Sequence, residues 1–225
     1  MTPIRRVWVT RAEPGAARTA DRLTAQGFEP VIAPLLEIRP LAAAVNLDGV
    51  TALAFTSRNG VAAFAGLSAE RALPVFAVGD ATAEAARRIG FGTVRSADGA
   101  LADLAALLIA EAPRHGLVLV PGALEPAGDL AALLAGRVPA RTLPVYEAVE
   151  TGVAPPRPFD AVLVHSARGA RALRGLGPFS GETAIALSEA VAGAVGGETG
   201  LEIHIAAAPD ETALLEALGK AAPHV

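Results

Sequence analysis

Short apolar runs alternate with helical stretches along the chain. Residues 7–10 read as a strand, and the polar turn 11–15 leads into a helical stretch that stops at Gly27, a glycine suited to the position just past a helix. Residues 30–33 read as a second strand. The alternation then recurs: 52–55 is a strand, Thr56-Ser57 caps a helix, 75–78 is a strand, and 80–89 is a helix closed by Gly90. Segments 101–111, 117–120, 129–134, 161–164 and 184–187 continue it. Apolar runs this short, separated by helices, predict parallel sheets covered on both faces, an α/β fold.

The pattern also repeats itself. Ser57 and Ser166, Gly60 and Gly169, Asp80 and Glu189, and Ala83 and Ala192 each stand 109 residues apart. Residues 34–37 (PLLE) match 144–147 (PVYE) at an offset of 110, and Glu13-Pro14 matches Glu125-Pro126 at 112. Small loop insertions produce such a drift, so the chain reads as two copies of one α/β unit. The proline-bearing segments 33–40 and 143–149 take equivalent places in the two copies. Both read as extended, because proline disfavours helix in the residue before it. If both cross between domains, the first domain is interrupted; a tandem division near residue 112 fits the repeat equally well.

Composition narrows the function classes. Of 225 residues, 52% are hydrophobic and 19% charged, enough apolar surface to bury a core, which excludes a largely disordered chain. The longest charge-free run, 59–69, has 11 residues, whereas a membrane-spanning helix needs about 20. Arg5 and Arg6 are followed by only a short apolar stretch before Arg11 and Glu13, so no secretory leader is expected. The absence of cysteine excludes disulfides, thiol catalysis and thiolate metal sites, and fits a cytoplasmic protein. A net charge of −4 and 4% aromatic residues argue against a nucleic-acid partner.

Four loop-to-helix junctions follow strands and therefore sit at strand carboxyl ends, the edge where open α/β sheets bind ligands. They are Thr10-Arg11, Thr56-Ser57 with Asn59-Gly60, Gly79 with Asp80 and Thr82, and His165-Ser166 with Gly169. Free N–H groups at helix starts suit carboxylates or phosphates. At any one junction Thr56, Ser57, Ser166 or Asp80 can be only a cap, worth about 1 kcal/mol; two matched sets favour a ligand. No Gly-x-Gly-x-x-Gly or P-loop is present, and the sole lysine, Lys220, argues against Schiff-base chemistry. His115, His165, His204 and His224 lack metal-ligand spacing, so no metal is expected, and His204 reads as an outward strand residue. Ser166 adjoins His165 but no nucleophile elbow surrounds it. Trp8 reads as strand core. Tyr146, the only tyrosine, either packs at a domain junction or offers a phenol able to donate a proton to a leaving oxygen.

These motifs, taken in order, resemble the uroporphyrinogen-III synthase family almost end to end. The resemblance rests on Val9-Thr10-Arg11, Ala33-Pro34-Leu35, Phe55-Thr56-Ser57 with Asn59-Gly60, and Ala77-Val78-Gly79 with Ala81-Thr82-Ala83 and Gly90. Val145-Tyr146-Glu147 and Ser166 complete it. It implies two Rossmann-like (flavodoxin-like) parallel-sheet domains joined by a two-segment linker. Domain one would hold 1–35 with 149–225 and domain two 39–144, with linkers 36–38 and 145–148. The implied substrate is hydroxymethylbilane, a linear tetrapyrrole with eight carboxylates. It is cyclised with loss of water and inversion of ring D through a spirocyclic intermediate, without metal or organic cofactor.

The resemblance further implies Tyr146 as the catalytic donor. Substrate binding falls to Thr10, Arg11, Thr56, Ser57, Gly79, Thr82 and Ser166, with Arg58 and Arg168 nearby. The second half departs from the family pattern. Ser188 stands for the usual glycine, Val191 for threonine, and His165 for the threonine before Ser166; Ser188 restores a donor there, while Glu189 adds a negative charge. A monomeric cytoplasmic enzyme receiving its substrate by hand-off from hydroxymethylbilane synthase, with no membrane or nucleic-acid partner, completes the expectation. The competing reading is a two-lobed small-molecule-binding protein that performs no chemistry.

Overall fold

The computed structural model describes residues 3–113 and 115–222, which leaves His224 outside the described residues. The first copy of the repeat runs β1 (Arg6–Val9), α1 (Gly15–Ala25), β2 (Glu29–Ile32), β3 (Leu36–Pro40), β4 (Val50–Phe55), α2 (Arg58–Leu67), β5 (Val75–Ala77), α3 (Asp80–Arg88), β6 (Val94–Ser96) and α4 (Leu101–Glu111). The second runs β7 (Leu117–Ala123), α5 (Leu130–Leu134), β8 (Ala140–Glu150), β9 (Ala161–Val164), α6 (Ala167–Arg174), β10 (Thr183–Ala186), α7 (Glu189–Val195), β11 (Glu202–Ile205) and α8 (Glu211–Ala221).

Two sheets form. One has the order β11-β10-β9-β1-β2, all neighbours parallel. The other has the order β3-β8-β7-β4-β5-β6, with the pairs from β8 through β6 parallel. Compact unit 1 comprises 1–37 with 149–225, and unit 2 comprises 38–148. The repeat and the units do not coincide. At offsets of 109 to 112, β1 and β2 correspond to β7 and β8, while β4, β5 and β6 correspond to β9, β10 and β11. Each unit thus takes a βαβ piece from one copy and the remainder from the other, and both sheets acquire one spatial order. Residues 36–38 and 145–148, read from sequence as linkers, lie within strands β3 and β8.

Strand alternation dictates the layers. In unit 1, Val7, Val9, Leu163 and Ile185 pack under α1 and α8, whereas Trp8, Val162, Val164 and Ala184 pack under α6 and α7. Trp8 is fully buried and donates Nε1–H to the Ala33 carbonyl at 2.7 Å. In unit 2, Ala52, Ala54 and Phe76 face α4 and α5, and Leu53, Phe55 and Val75 face α2. Burying a side chain of Leu or Phe size contributes roughly 1.5–3 kcal/mol. These two-faced cores therefore hold the strands' carboxyl ends in register.

Those ends carry the helix caps. Ser57, Ser166 and Ser188 each accept the N–H three residues on, from Gly60 at 3.0 Å, Gly169 at 3.1 Å and Val191 at 3.4 Å. Asp80 is not a cap: Gly79 occupies that position, and Asp80 opens α3 as its first residue, where a negative charge favours the helix dipole. Thr56 likewise yields the capping role to Ser57.

Candidate active site

In both sheets the strand order reverses beside the first strand of its βαβ series, the place where doubly wound folds bind ligands. In unit 2 that point lies between β4 and β7. Gly60, in the first turn of α2, meets the Pro121 carbonyl of β7 so closely that an added Cβ would stand 2.8 Å from it. Glycine lets the helix start approach the neighbouring strand.

Beyond β7, the register of β8 slips: Gly122 pairs with Pro144 but Ala123 with Tyr146, leaving Val145 as the extra residue. A bulge of this kind re-aims the side chains that follow it. Val145 and Tyr146 are consecutively buried, and the Tyr146 hydroxyl lies 3.0 Å from Ser57 Oγ. Ser57 Oγ therefore joins a backbone N–H at a helix start to the only phenol of the chain. The Leu124 N–H donates to the Tyr146 carbonyl at 2.8 Å and fixes the backbone at the same place.

The remaining unit 2 candidates flank this pair. Thr56 is half-buried and precedes the cap. Gly79 has extended backbone, with nothing within 4 Å of where a Cβ would sit, so neither strain nor packing demands glycine there. Thr82 is buried in the first turn of α3, its N–H bonded to the Gly79 carbonyl at 3.0 Å.

Unit 1 carries different chemistry at its own reversal, between β1 and β9. Thr10 is buried and donates its hydroxyl to the Leu163 carbonyl at 2.6 Å. Arg11 lies over Gly15, where a Cβ would come within 2.5 Å of its Nε, and its Nη1 donates to Glu211 Oε2 at 2.6 Å. The same carboxylate oxygen faces His165 Nε2 at 3.1 Å, and Oε1 accepts the hydroxyl of buried Thr19. Arg11 is thus one member of a network rather than a cation standing alone, and Ser166 serves its own helix rather than His165. Ser188 is half-buried at the start of α7.

The electrostatics follow from this packing. Burial pushes Glu211 up, but hydrogen bonds from His165 and Thr19, with the charges of His165 and Arg11, outweigh it and bring its pKa to about 2. Burial lowers His165, against the hydrogen bond to Glu211. Burial also lowers Arg11, against the attraction of Glu211. At neutral pH the group is an arginine–carboxylate pair with a neutral imidazole.

Sequence reasoning missed Glu211 and Thr19. An acid in the first turn of a helix has an ordinary reason to be there, and only the topology brings α8 to the ends of β1 and β9. His204 is half-buried and bonded to Glu202 at 3.0 Å. Among the described residues no three His, Cys, Asp or Glu side chains are grouped to hold a metal, and no helix is long and apolar enough to cross a membrane.

The family model described as Uroporphyrinogen-III synthase HemD matches residues 17–216, spanning both copies of the repeat. The chain belongs to the uroporphyrinogen-III synthase family. No curated protein matches the sequence. Among solved structures, uroporphyrinogen-III synthetase from Helicobacter pylori 26695 is similar with a TM-score of 0.69 at 21% identity, covering 97% of this chain and 99% of that one. A mutant uroporphyrinogen III synthase from the extremely thermophilic bacterium Thermus thermophilus is similar with a TM-score of 0.59 at 18% identity, covering 96% and 98%. These likenesses are likenesses of fold: two parallel-dominated α/β sheets, as the resemblance to the uroporphyrinogen-III synthase family implied.

Proposed function

We propose that the protein cyclises hydroxymethylbilane to uroporphyrinogen III in tetrapyrrole biosynthesis, with loss of water and inversion of ring D, as a lyase. In a chain of this family, the observation that carries the reading is the Tyr146 hydroxyl 3.0 Å from Ser57 Oγ at the carboxyl edge of unit 2.

The chemistry asks little of the protein as a nucleophile. The pyrrole nitrogen of the substrate supplies the electron pair that expels the hydroxyl of its hydroxymethyl group. A phenol that donates its proton to the departing oxygen turns hydroxide into water. Ser57 suits that step from behind: its oxygen accepts the Gly60 N–H, which polarises its own O–H toward the Tyr146 oxygen as negative charge develops there. The substituted carbon of ring D then attacks, the spirocycle rearranges, and the proton lost on closing the macrocycle returns the phenol to its starting state. Holding a flexible chain for that attack can contribute roughly 7–11 kcal/mol.

Substrate binding we assign in unit 2 to Thr56, Ser57, Gly79 and Thr82, around the starts of α2 and α3. In unit 1 we assign it to Thr10, Arg11, Ser166 and Ser188. Helix-start N–H groups answer locally what a net charge of −4 does not supply to a polyanionic ligand, and Arg11, its charge balanced by Glu211, adds hydrogen-bond donors. The reading carries with it a monomeric, cytoplasmic enzyme that works without metal or organic cofactor and takes its substrate by hand-off from hydroxymethylbilane synthase. No observation favours a receptor that binds without reacting.

The test supplies the purified protein with hydroxymethylbilane generated in situ and separates the oxidised porphyrin isomers. Predominance of isomer III is expected. Isomer I alone, the product of spontaneous closure, from folded protein would overturn the reading.

A further inference from the structure

We propose that Glu211 is a positioning residue of the unit 1 edge, acting on substrate binding through Arg11 and His165. The proposal rests on the reading above, in which that edge receives the substrate.

Glu211 opens α8, and Asp210 already supplies that helix's cap through the Ala213 N–H at 2.9 Å. Capping therefore leaves the Glu211 side chain uncommitted, and it turns to three partners from three other places: Thr19 on α1, Arg11 after β1, and His165 after β9. Arg11 and His165 follow the two strands that flank the sheet's reversal, so one carboxylate fixes both residues at the point where a ligand approaches. The long Arg11 side chain is laid over Gly15 and bonded at its Nη1, which removes its rotamer freedom before any ligand arrives.

The imidazole is fixed as well. An ionised carboxylate only accepts, so the proton of neutral His165 stands on Nε2, and Nδ1 is a bare acceptor, buried and without a partner among the described residues. At the repeat offsets the unit 2 counterparts of Arg11, Thr19, His165 and Glu211 are Ala123, Ala131, Thr56 and Leu101, so neither the fold nor the repeat itself requires the network.

The test compares wild type, Glu211→Ala, Glu211→Gln, Arg11→Ala and the Glu211→Ala/Arg11→Ala double variant for KM and kcat in the coupled assay, with imidazole nitrogen NMR for the His165 tautomer. Glutamine can turn its oxygen to Arg11 and His165 and its amide N–H to the Thr19 oxygen, so it keeps the geometry without the charge. Glu211→Ala is expected to raise KM at least fivefold with kcat within twofold, and Glu211→Gln to stay within twofold of wild type in both. The double variant is expected to match Arg11→Ala alone, because residues acting as one unit are not additive. The wild-type spectrum is expected to show the proton of His165 on Nε2. A wild-type KM in Glu211→Ala, effects that multiply in the double variant, or a proton on Nδ1 would overturn the proposal. If Glu211→Ala does not fold, the glutamine variant's KM and the tautomer decide it. If wild type forms no isomer III, the functional reading fails, and the tautomer still decides whether Glu211 holds the imidazole.

Discussion

The two units share one strand order yet place different groups at its reversal. In unit 2 a phenol reaches a serine across a bulged strand, and its counterpart at the repeat offset is Leu36. In unit 1 an arginine, a carboxylate and an imidazole lock one another, and their counterparts are alanine, leucine and threonine. The serine cap and the glycine whose N–H it accepts are common, Ser57 with Gly60 in one and Ser166 with Gly169 in the other. A shared backbone therefore specifies where ligand groups stand, not what they do. In the proposed reading the Tyr146 phenol serves the chemical step, whereas the arginine, carboxylate and imidazole of unit 1, bonded to one another, serve binding. The proposed division between reaction and binding rests on side chains that the repeat did not keep.

Four experiments test that contrast. The largest effect concerns the unit 1 network under acid. Glu211 is held at about 2 against an ordinary value of 4.5, so the unfolded chain takes up its proton first as pH falls. The stability this supplies is complete above about 4.5 and lost on approaching 2, on the order of 3 kcal/mol. His165, lowered from 6.5, works in the same direction below that value. Denaturant titrations at pH 6 and pH 3 should show a smaller loss in Glu211→Gln than in wild type; equal losses would break the account of the network.

Next in size is a pair of matched glycines. In Gly60→Ala the new Cβ meets the Pro121 carbonyl at 2.8 Å, and overpacking against backbone should cost roughly 2 kcal/mol. In Gly169→Ala it meets only Ser166 Oγ at 3.3 Å, and the gain in helix propensity should keep the change within about 1 kcal/mol of neutral. Urea midpoints decide between them, and equal losses would remove the close approach as a feature peculiar to unit 2.

Ser57→Ala and Ser166→Ala should each lose a cap worth about 1 kcal/mol. Only Ser57→Ala should also lower turnover, since only that hydroxyl touches Tyr146. The smallest effect is expected at Gly79. Its alanine variant introduces no backbone strain and no contact within 4 Å, so stability should hold while KM rises about threefold if substrate approaches the start of α3. An unchanged KM would take Gly79 out of the binding face.

How much of this was legible in the sequence varies with range. Strands such as 52–55 and 161–164 declare themselves, because buried parallel strands are short apolar runs, and Ser57 and Ser166 declare themselves as caps by preceding helices. The β6 strand, Val94–Ser96, does not: it is short and half exposed, and lacks an apolar run. Candidates at helix starts, such as Gly79 and Thr82, can be named from the local chain alone. The Ser57–Tyr146 pair spans 89 positions and depends on a one-residue bulge, which no periodicity announces. The Arg11–Glu211 pair spans 200 positions and depends on which helix start the topology brings to the carboxyl edge of the sheet. Two copies were visible; the repeat left an interrupted first domain and a tandem division equally open, and the family resemblance implied the interrupted one.

In the proposed reaction the Tyr146 phenol, backed by Ser57, drives the departure of the substrate hydroxyl. The direct test is a single-turnover comparison of wild type and Tyr146→Phe at saturating hydroxymethylbilane, with the substrate dissociation constant measured alongside. Phenylalanine keeps the buried ring and removes only the O–H. The expected result is a rate about a hundredfold lower with binding within threefold of wild type. A Tyr146→Phe rate equal to wild type would contradict it and leave the tyrosine as packing.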